Sequence, residues 1–404
     1  MTTLYFAEQT HLHRDSDGNV RSDFGHARYD AWRAYLTGVD RVVLVVRVGN
    51  RVSDTGHLVE GPGVSVLAVP FYRGPMSFLR QYPKLRKFMT ERLTDSSALY
   101  GSRTPNLMGP LVHRRSRKLG AIFIAQVIGD PEDVLKSGAA GQIGRMMAKS
   151  AKRAVAKQVS RADAVIYVTR RTLQAKYPSR RGALTLVRSN VELSPASFAD
   201  RPRDYFEEPI SGPIRLVAAG SQEQLYKGHG TLIEALRILK DRRIAVTATI
   251  IGDGRYHASL VELASSLGVS DEVDFVGHLS GAHLVREHIA DSDIFVMPSL
   301  TEGLPRALIE AMASGIVSIG SRVGGIPELI DEEALFDAGQ ATQIANAVAG
   351  LAANPARMTE LAARQWEQAR VIRDSYSGPA ILGAFLAELS SRGLAAGFGD
   401  HAAA

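Results

Sequence analysis

The sequence predicts an α/β chain built from two doubly wound parallel sheets, and three observations carry that prediction. Its 404 residues exceed one ordinary domain, for which roughly 150 residues is the usual size. Short β-branched runs alternate with amphipathic stretches of helical length, the rhythm of strands wound with helices on both faces. The charge also divides the chain: residues 1–209 hold 33 Lys and Arg against 19 Asp and Glu, and the remainder holds 15 against 23. A basic half joined to an acidic half implies two domains with different partners, the first suited to anions. Apolar residues at 45% and charged residues at 22% are globular values, which excludes fibrous and wholly disordered classes. The absence of cysteine excludes disulfides, thiolate metal sites and thiol catalysis. The longest apolar runs, such as residues 42–46, are far too short to span a bilayer, and no signal pattern opens the chain. These features predict a soluble cytoplasmic protein.

In chain order, β-branched runs predict strands at 2–7, 41–46, 64–70, 121–127 and 164–169, with helices at 26–37 and 142–162. Residues 194–213 carry four prolines and no periodicity, which reads as a linker. Beyond it the alternation is regular: strands at 214–219, 245–252, 273–277, 293–298 and 316–320, and helices at 229–241, 255–267, 281–290 and 304–314. A last helix is expected at 376–391, followed by a small-residue tail over 393–404 with no folding pattern. The predicted divisions are 1–205, 206–375 and 376–404. Ligands of a doubly wound sheet gather at the carboxyl ends of its strands.

The most informative stretch is residues 292–330. A buried strand ends at Pro298, a loop presents Glu302 and Gly303, and Pro305 stands early in the next helix, where its missing N–H costs nothing. That helix start, at Leu304 and Arg306, offers unsatisfied N–H groups and a positive dipole end to a phosphate. Glu310 lies where its carboxylate could accept from paired ribose hydroxyls, and Glu302 could meet another polyol. A second strand–loop–helix junction, residues 218–236, places Lys227 before Gly228 as a point charge for a diphosphate. The glycine pair at 252 and 254 lacks a third member and predicts a tight turn rather than a dinucleotide fingerprint.

Two glutamates eight positions apart in EGLPRALIE, followed by AMASG and VGGIPELI, resemble the donor-site signature of the retaining glycosyltransferases of family four, with the GT-B fold. The YKG sequence at 226–228 resembles the members associated with exopolysaccharide synthesis. The resemblance implies two Rossmann-like domains facing across a cleft, the first for the acceptor and the second for a nucleotide diphosphate sugar. It assigns Lys227 to the donor pyrophosphate, Glu310 to the ribose, Glu302 to the donor sugar and the amides near Leu304 to the diphosphate. Gly220, Gly252 and the Val276, Gly277 and His278 stretch would line the nucleotide. Where many members carry an arginine, this chain has Ser221, and Arg306 is the candidate replacement. In the first half, Gly25, Asp130 and Asn190 match acceptor-side or cleft positions. The position before Asp130, where many members carry a histidine, is Gly129.

Independently of any family, Arg145, Lys149, Arg153, Lys157 and Arg161 recur every four residues, with Lys152 alongside. The neighbouring stripe of Met147, Ala151, Val155 and Val159 would make this a basic amphipathic helix, suited to an anionic membrane surface at about 1 kcal/mol per basic residue. The Asp-Ser-Asp triplets at 15–17 and 291–293 are read as caps and turns, and no metal site is predicted. Interleaved aromatics or a recognition helix for nucleic acid are absent from the basic half.

The resulting expectation is a metal-independent retaining glycosyltransferase, catalysing through Lys227 and Glu302. It would move sugar from a nucleotide diphosphate sugar to a glycan or lipid-linked acceptor in cell-surface polysaccharide synthesis. It would use no separate cofactor and would sit in the cytoplasm or peripherally on the inner membrane face. The alternatives are a sugar-nucleotide epimerase of the same fold and a non-catalytic nucleotide-sugar-binding module.

Overall fold

The computed structural model describes the chain except residues 24–26, 138–140, 190, 192, 280 and 400–404, with backbone alone at 143 and 393–399. Two compact units result. One comprises Met1–Gly129, Arg153–Asn190 and Gly378–Ala404, and the other Asp130–Lys152 and Val191–Ser377.

The first unit is built on nine strands: β1 (Thr3–Arg14), β2 (Val20–Ser22), β3 (Arg41–Val52), β4 (His57–Leu58), β5 (Val64–Val69), β6 (Leu99–Thr104), β7 (Phe123–Val127), β8 (Ala164–Tyr167) and β9 (Leu184–Val187). Seven run parallel in the order β5-β3-β1-β6-β7-β8-β9, and β2 and β4 add an antiparallel extension beyond the end of β1. The run Val42 to Val46 is buried throughout because a parallel sheet is covered on both faces. Strand order reverses between β1 and β6, the switch point of this sheet. The helix Pro379–Gly399 belongs to this unit and packs Leu382, Phe385, Leu386 and Leu389 into a core shared with Trp32, Tyr35 and Val39. The approach is close: a Cβ on Gly38 would stand 2.5 Å from the carbonyl oxygen of Gly383.

The second unit repeats the plan with β10 (Ile214–Ala219), β11 (Val246–Ile251), β12 (Val273–Gly277), β13 (Ile294–Met297), β14 (Val317–Ser321) and β15 (Leu335–Phe336). All are parallel, in the order β12-β11-β10-β13-β14-β15, and the switch point lies between β10 and β13. Helices His229–Asp241 and Arg306–Ala313 turn Leu232, Ile233, Leu236 and Leu308, Ile309, Met312 onto one continuous core.

Several sequence expectations change. Strand β6, central in its sheet, was not expected, because Gly101, Ser102 and Arg103 interrupt any β-branched run; helices Gly74–Arg92 and Gly109–Leu119 also lacked a strong enough pattern. The helix expected at 26–37 is the short Tyr29–Arg33 continued by a 3-10 turn, Ala34–Thr37. The stretch 194–213 is no free linker. Ala199 and Arg203 donate backbone hydrogen bonds to Ala313 and Gly315, and buried Tyr205 donates its hydroxyl to the Asp293 carbonyl at 2.7 Å. The expected division at 205 therefore differs from the observed one, which falls after Asn190 and also assigns 130–152 to the second unit.

Candidate functional site

At the second sheet's switch point two loops leave the carboxyl ends of β10 and β13 and lie side by side. The first runs through Gly220 and a 3-10 turn, Leu225–Lys227, to Gly228, which takes the left-handed conformation at φ +76° and opens helix His229–Asp241. Only a residue without a side chain fits there, since a Cβ on Gly228 would lie 1.9 Å from the carbonyl oxygen of Pro298. The second loop carries Ser299 to Pro305 into helix Arg306–Ala313. Leu300 N–H donates to the Tyr226 carbonyl at 2.7 Å and ties the loops together. Behind them, Gly324 packs so closely that a Cβ would stand 1.9 Å from the Glu302 carbonyl oxygen, while Gly325 N–H donates to the Gly303 carbonyl at 2.7 Å. The Gly-Gly of VGGIPELI thus supports the loop that presents Glu302.

This packing brings Lys227 and Glu302 together across 75 residues of sequence: the ammonium donates to Oε1 of Glu302 at 2.7 Å. Ser299 Oγ donates to the same oxygen at 2.8 Å. Burial pushes the Lys227 ammonium down, but the Glu302 charge and hydrogen bond outweigh it, so its pKa lies above the ordinary lysine value and the cation persists. Beneath it, buried His229 places Nε2 at 3.2 Å from the Gly220 carbonyl, to which it donates. Burial, with the Lys227 charge adding, lowers this imidazole to about 4, so it is neutral at pH 7, and its Nδ1 has no hydrogen-bond partner among the described residues. Both helices begin without a side-chain cap. A cation and two helix N-termini with orphan N–H groups therefore meet at one switch point, an arrangement that favours a phosphorylated ligand.

The other expected donor-side residues fall around this pair. Ser221 is exposed and accepts from Glu223 N–H at 3.2 Å. Gly252 donates to the Gly277 carbonyl at 2.8 Å and takes φ +133°, where a Cβ would press on the Gly220 carbonyl at 2.0 Å. Val276 and Gly277 close β12, and His278 is exposed just beyond it. Pro305 is the residue before the helix rather than within its first turn. Arg306 reaches back to Glu310, Nη2 to Oε1 at 3.5 Å, and this exposed guanidinium is not drawn toward Lys227 in any described contact. Ser299, His229 and Gln222 were not foreseen. Buried Gln222 donates to the Gly252 carbonyl at 2.7 Å and stands 2.9 Å from His257 Nδ1, fixing the turn beside Gly220. The spacing of Ser299 three positions before Glu302 was the one signal available.

Gly25 and Asn190 lie outside the described residues. Asp130 is the N-cap of Pro131–Lys136, accepting from Glu132 N–H at 2.8 Å, and is buried. The basic helix is Gly141–Val159, so Arg161 lies past its end. Arg145, Lys149, Arg153 and Lys157 are exposed, whereas Lys152 is bound to Glu132 at 2.6 Å. Its buried stripe is Gly144, Ala148, Val155 and Val159; Met147 is 48% exposed, displaced from the expected face because Ala148 fills that position. Lys157 and Arg161 instead line a cavity of about 1000 Å³ with Arg114, Arg117, Lys118 and Arg180. Asp15 gathers the Asp17 and Asn19 amides and Arg21, and Asp293 is a buried partner of Arg203 and Arg215, so both triplets act structurally. Among the described residues no group of three or more His, Asp or Glu is placed to hold a metal ion, and no helix is long and apolar enough to cross a membrane.

Comparison with known proteins supplies context for this geometry. Residues 202–371 match the family described as glycosyl transferases group 1. The chain is 26% identical over 337 residues to Protein CapJ of Staphylococcus aureus, covering 82% of each. It is 30% identical over 287 residues to a GDP-mannose-dependent alpha-(1-6)-phosphatidylinositol monomannoside mannosyltransferase of Mycolicibacterium smegmatis, covering 66% of this chain and 70% of the relative. With the amylovoran biosynthesis glycosyltransferase AmsK of Erwinia amylovora it shares 36% over 149 residues, 35% of each chain. Among solved structures, sucrose-phosphate synthase from Thermosynechococcus elongatus superposes with a TM-score of 0.70 at 16% identity, over 98% of this chain and 100% of that one. Anabaena HepE in complex with UDP and glucose gives 0.64 at 17%, over 97% and 100%. These likenesses show the fold: two Rossmann-like α/β sheets of the GT-B class.

Proposed function

The chain belongs to the group 1 glycosyl transferases, and from that premise we propose that it transfers a sugar from a nucleotide diphosphate sugar, with retention of configuration, to a glycan or lipid-linked acceptor in polysaccharide synthesis. The observation that carries this reading is the Lys227–Glu302 pair set between two helices without side-chain caps at the β10/β13 switch point. The printed name of AmsK supports the biosynthetic setting. The complex of HepE with UDP and glucose supports a nucleotide and a sugar as ligands of this fold.

In this reading the diphosphate replaces Glu302 as the main partner of Lys227, and the two helix starts supply N–H groups to its oxygens. Breaking the sugar–phosphate bond concentrates negative charge on the departing phosphate. A fixed ammonium and fixed dipoles stabilise that charge more in the transition state than in the ground state. Glu302, already oriented by Ser299, then meets the hydroxyls of the donor sugar. Glu310 takes the ribose after releasing Arg306, a half-exposed ion pair of the kind that costs at most about 1 kcal/mol to break. Lys227 and the helix starts together carry the countercharge. The family-four resemblance supports reaction on one face of the sugar, with the leaving phosphate accepting the acceptor's proton.

The test is turnover with UDP-glucose and GDP-mannose as donors, wild type against Lys227→Ala, with product anomers read by NMR. The variant is expected to lose about 10²–10³ in rate, the usual cost of one charge-stabilising group, and the product to keep the donor's anomeric configuration. Equal turnover by the variant would overturn the donor assignment, and an inverted product the retention.

A further inference from the structure

The first unit gathers an unbalanced cluster of buried charge at the carboxyl ends of its own parallel strands. Arg47, Arg103 and Arg188 are 4%, 8% and 5% exposed, and Glu8, at 4%, is the one carboxylate found in contact with any of them among the described residues. Glu8 follows Ala7, whose register partner on β6 is Ser102, so Glu8 and Arg103 stand abreast on the two strands that flank the switch point. Arg103 Nη1 meets Glu8 Oε2 at 2.7 Å. On the other side of β1, Arg47 is held by backbone, donating to the carbonyls of Tyr72 and Gln9.

Arg188, directly after β9, meets no carboxylate among the described residues. Its backbone N–H donates to the Tyr167 carbonyl, and its guanidinium lies 5.8 Å over the ring of Tyr35. Tyr35 packs on Trp32 with centroids 5.5 Å apart, and Arg103 lies 5.2 Å over Trp32, so the two aromatic rings link both arginines into one cluster. Among the described residues, the buried Nε atoms of Arg47, Arg103 and Arg188 have no hydrogen-bond partner, nor have Trp32 Nε1 and Tyr72 Oη. Buried cations normally come paired, and orphaned buried donors are costly. Three guanidinium groups, one carboxylate and five unused donors at a sheet's ligand-binding end describe a shell complementary to an anion, because an oxyanion accepts from such donors and balances the surplus charge.

We propose that the carboxyl end of the first sheet is an oxyanion-binding site, with Arg188 and Arg103 as its charged donors, and that it selects a sugar acceptor bearing a phosphate or carboxylate group. The acceptor role rests on the transfer reading above; the oxyanion site itself does not. The shared chemistry is an oxygen anion, from either a phosphorylated acceptor or an acidic sugar.

The experiment uses the full chain carrying Lys227→Ala, which removes the cation of the second unit, titrated with inorganic phosphate and separately with glucuronate by calorimetry. Binding of at least one probe is expected. Adding Arg188→Met should weaken it at least tenfold, while the melting temperature in plain buffer stays equal or rises because an unpaired buried cation has gone. Arg188→Lys, which keeps charge but loses the planar fork, should also weaken binding and serves if the methionine variant does not fold. Tighter phosphate binding identifies a phosphorylated acceptor, and tighter glucuronate binding an acidic sugar; both support the site. No binding of either probe, or binding that Arg188→Met and Arg188→Lys leave unchanged, overturns it. In the Lys227-intact protein, Arg188→Met should also leave UDP and GDP affinity within twofold of wild type. A parallel loss there would assign the arginine to the donor and overturn the acceptor reading, whereas failure of the donor assignment shows separately in the Lys227→Ala turnover.

Discussion

His229 shows how a single buried side chain ties the site to solution conditions. Its imidazole is held at about 4, against 6.5 for an unperturbed histidine, because burial disfavours the charged form and Lys227 repels it. The unfolded chain therefore binds a proton at pH values where the folded chain does not. This contribution to stability is complete above about pH 6.5, falls as pH drops toward 4, and levels off below that. The span corresponds to about 3 kcal/mol. Urea unfolding of wild type and His229→Asn between pH 7 and pH 4 isolates it: the stability difference should shift by about that amount in favour of the variant at low pH. A pH-independent difference would show that His229 is not buried neutral. At this scale the sequence disclosed Lys227 and Glu302, because their types and spacing carry the chemistry. It concealed His229 and Ser299, whose roles arise only when the Gly220 carbonyl and the β13 loop come alongside. The guanidinium of Arg306 looked available in sequence, yet one helical turn brings it to Glu310.

Among elements, the two loops that leave β10 and β13 depend on glycines placed for close backbone approach. Gly228→Ala would force an L side chain into the left-handed region, at roughly 1–2 kcal/mol, and also drive its Cβ into the Pro298 carbonyl. The loops must then separate. Calorimetry should show at least a tenfold loss of nucleotide diphosphate affinity together with a lower melting temperature. Gly120→Ala is the matched control: it too has a left-handed φ, +68°, but nothing lies within 4 Å of its Cβ. It should lose stability without losing affinity, and equal affinity losses would remove the steric explanation. Strands β10 to β14 of the second unit were legible because each holds a β-branched run, and the helices between them because they carry apolar residues at helical spacing, whereas the two-residue β15 was not foreseen. Strand β6 was not, since its burial comes from Gly101, Ser102, Arg103 and Thr104, small or polar residues that only a central position in the sheet protects.

Across the whole molecule, both sheets repeat one doubly wound order, and that order could not be read from sequence because four of the first sheet's nine strands lie outside the predicted runs. The helix Pro379–Gly399 has the largest consequence for stability. It contributes Leu382, Phe385, Leu386 and Leu389 to the first unit's core, a burial of about 6–12 kcal/mol at the usual value per large apolar side chain. Ending the chain after Ser377 should therefore loosen the first unit selectively. Hydrogen exchange should accelerate in β1 and β3 while β10 and β13 keep their protection; equal protection in both sheets would mean the helix is dispensable.

The same helix orders events at the ribosome. Everything the second unit requires has been translated once residue 377 is added, whereas the first unit, though begun earlier, waits for one of its core pieces until helix Pro379–Gly399 clears the exit tunnel. The lobe whose synthesis starts earlier is thus the later to mature, and for that interval Trp32 and Tyr35 lack the apolar cover that this helix provides.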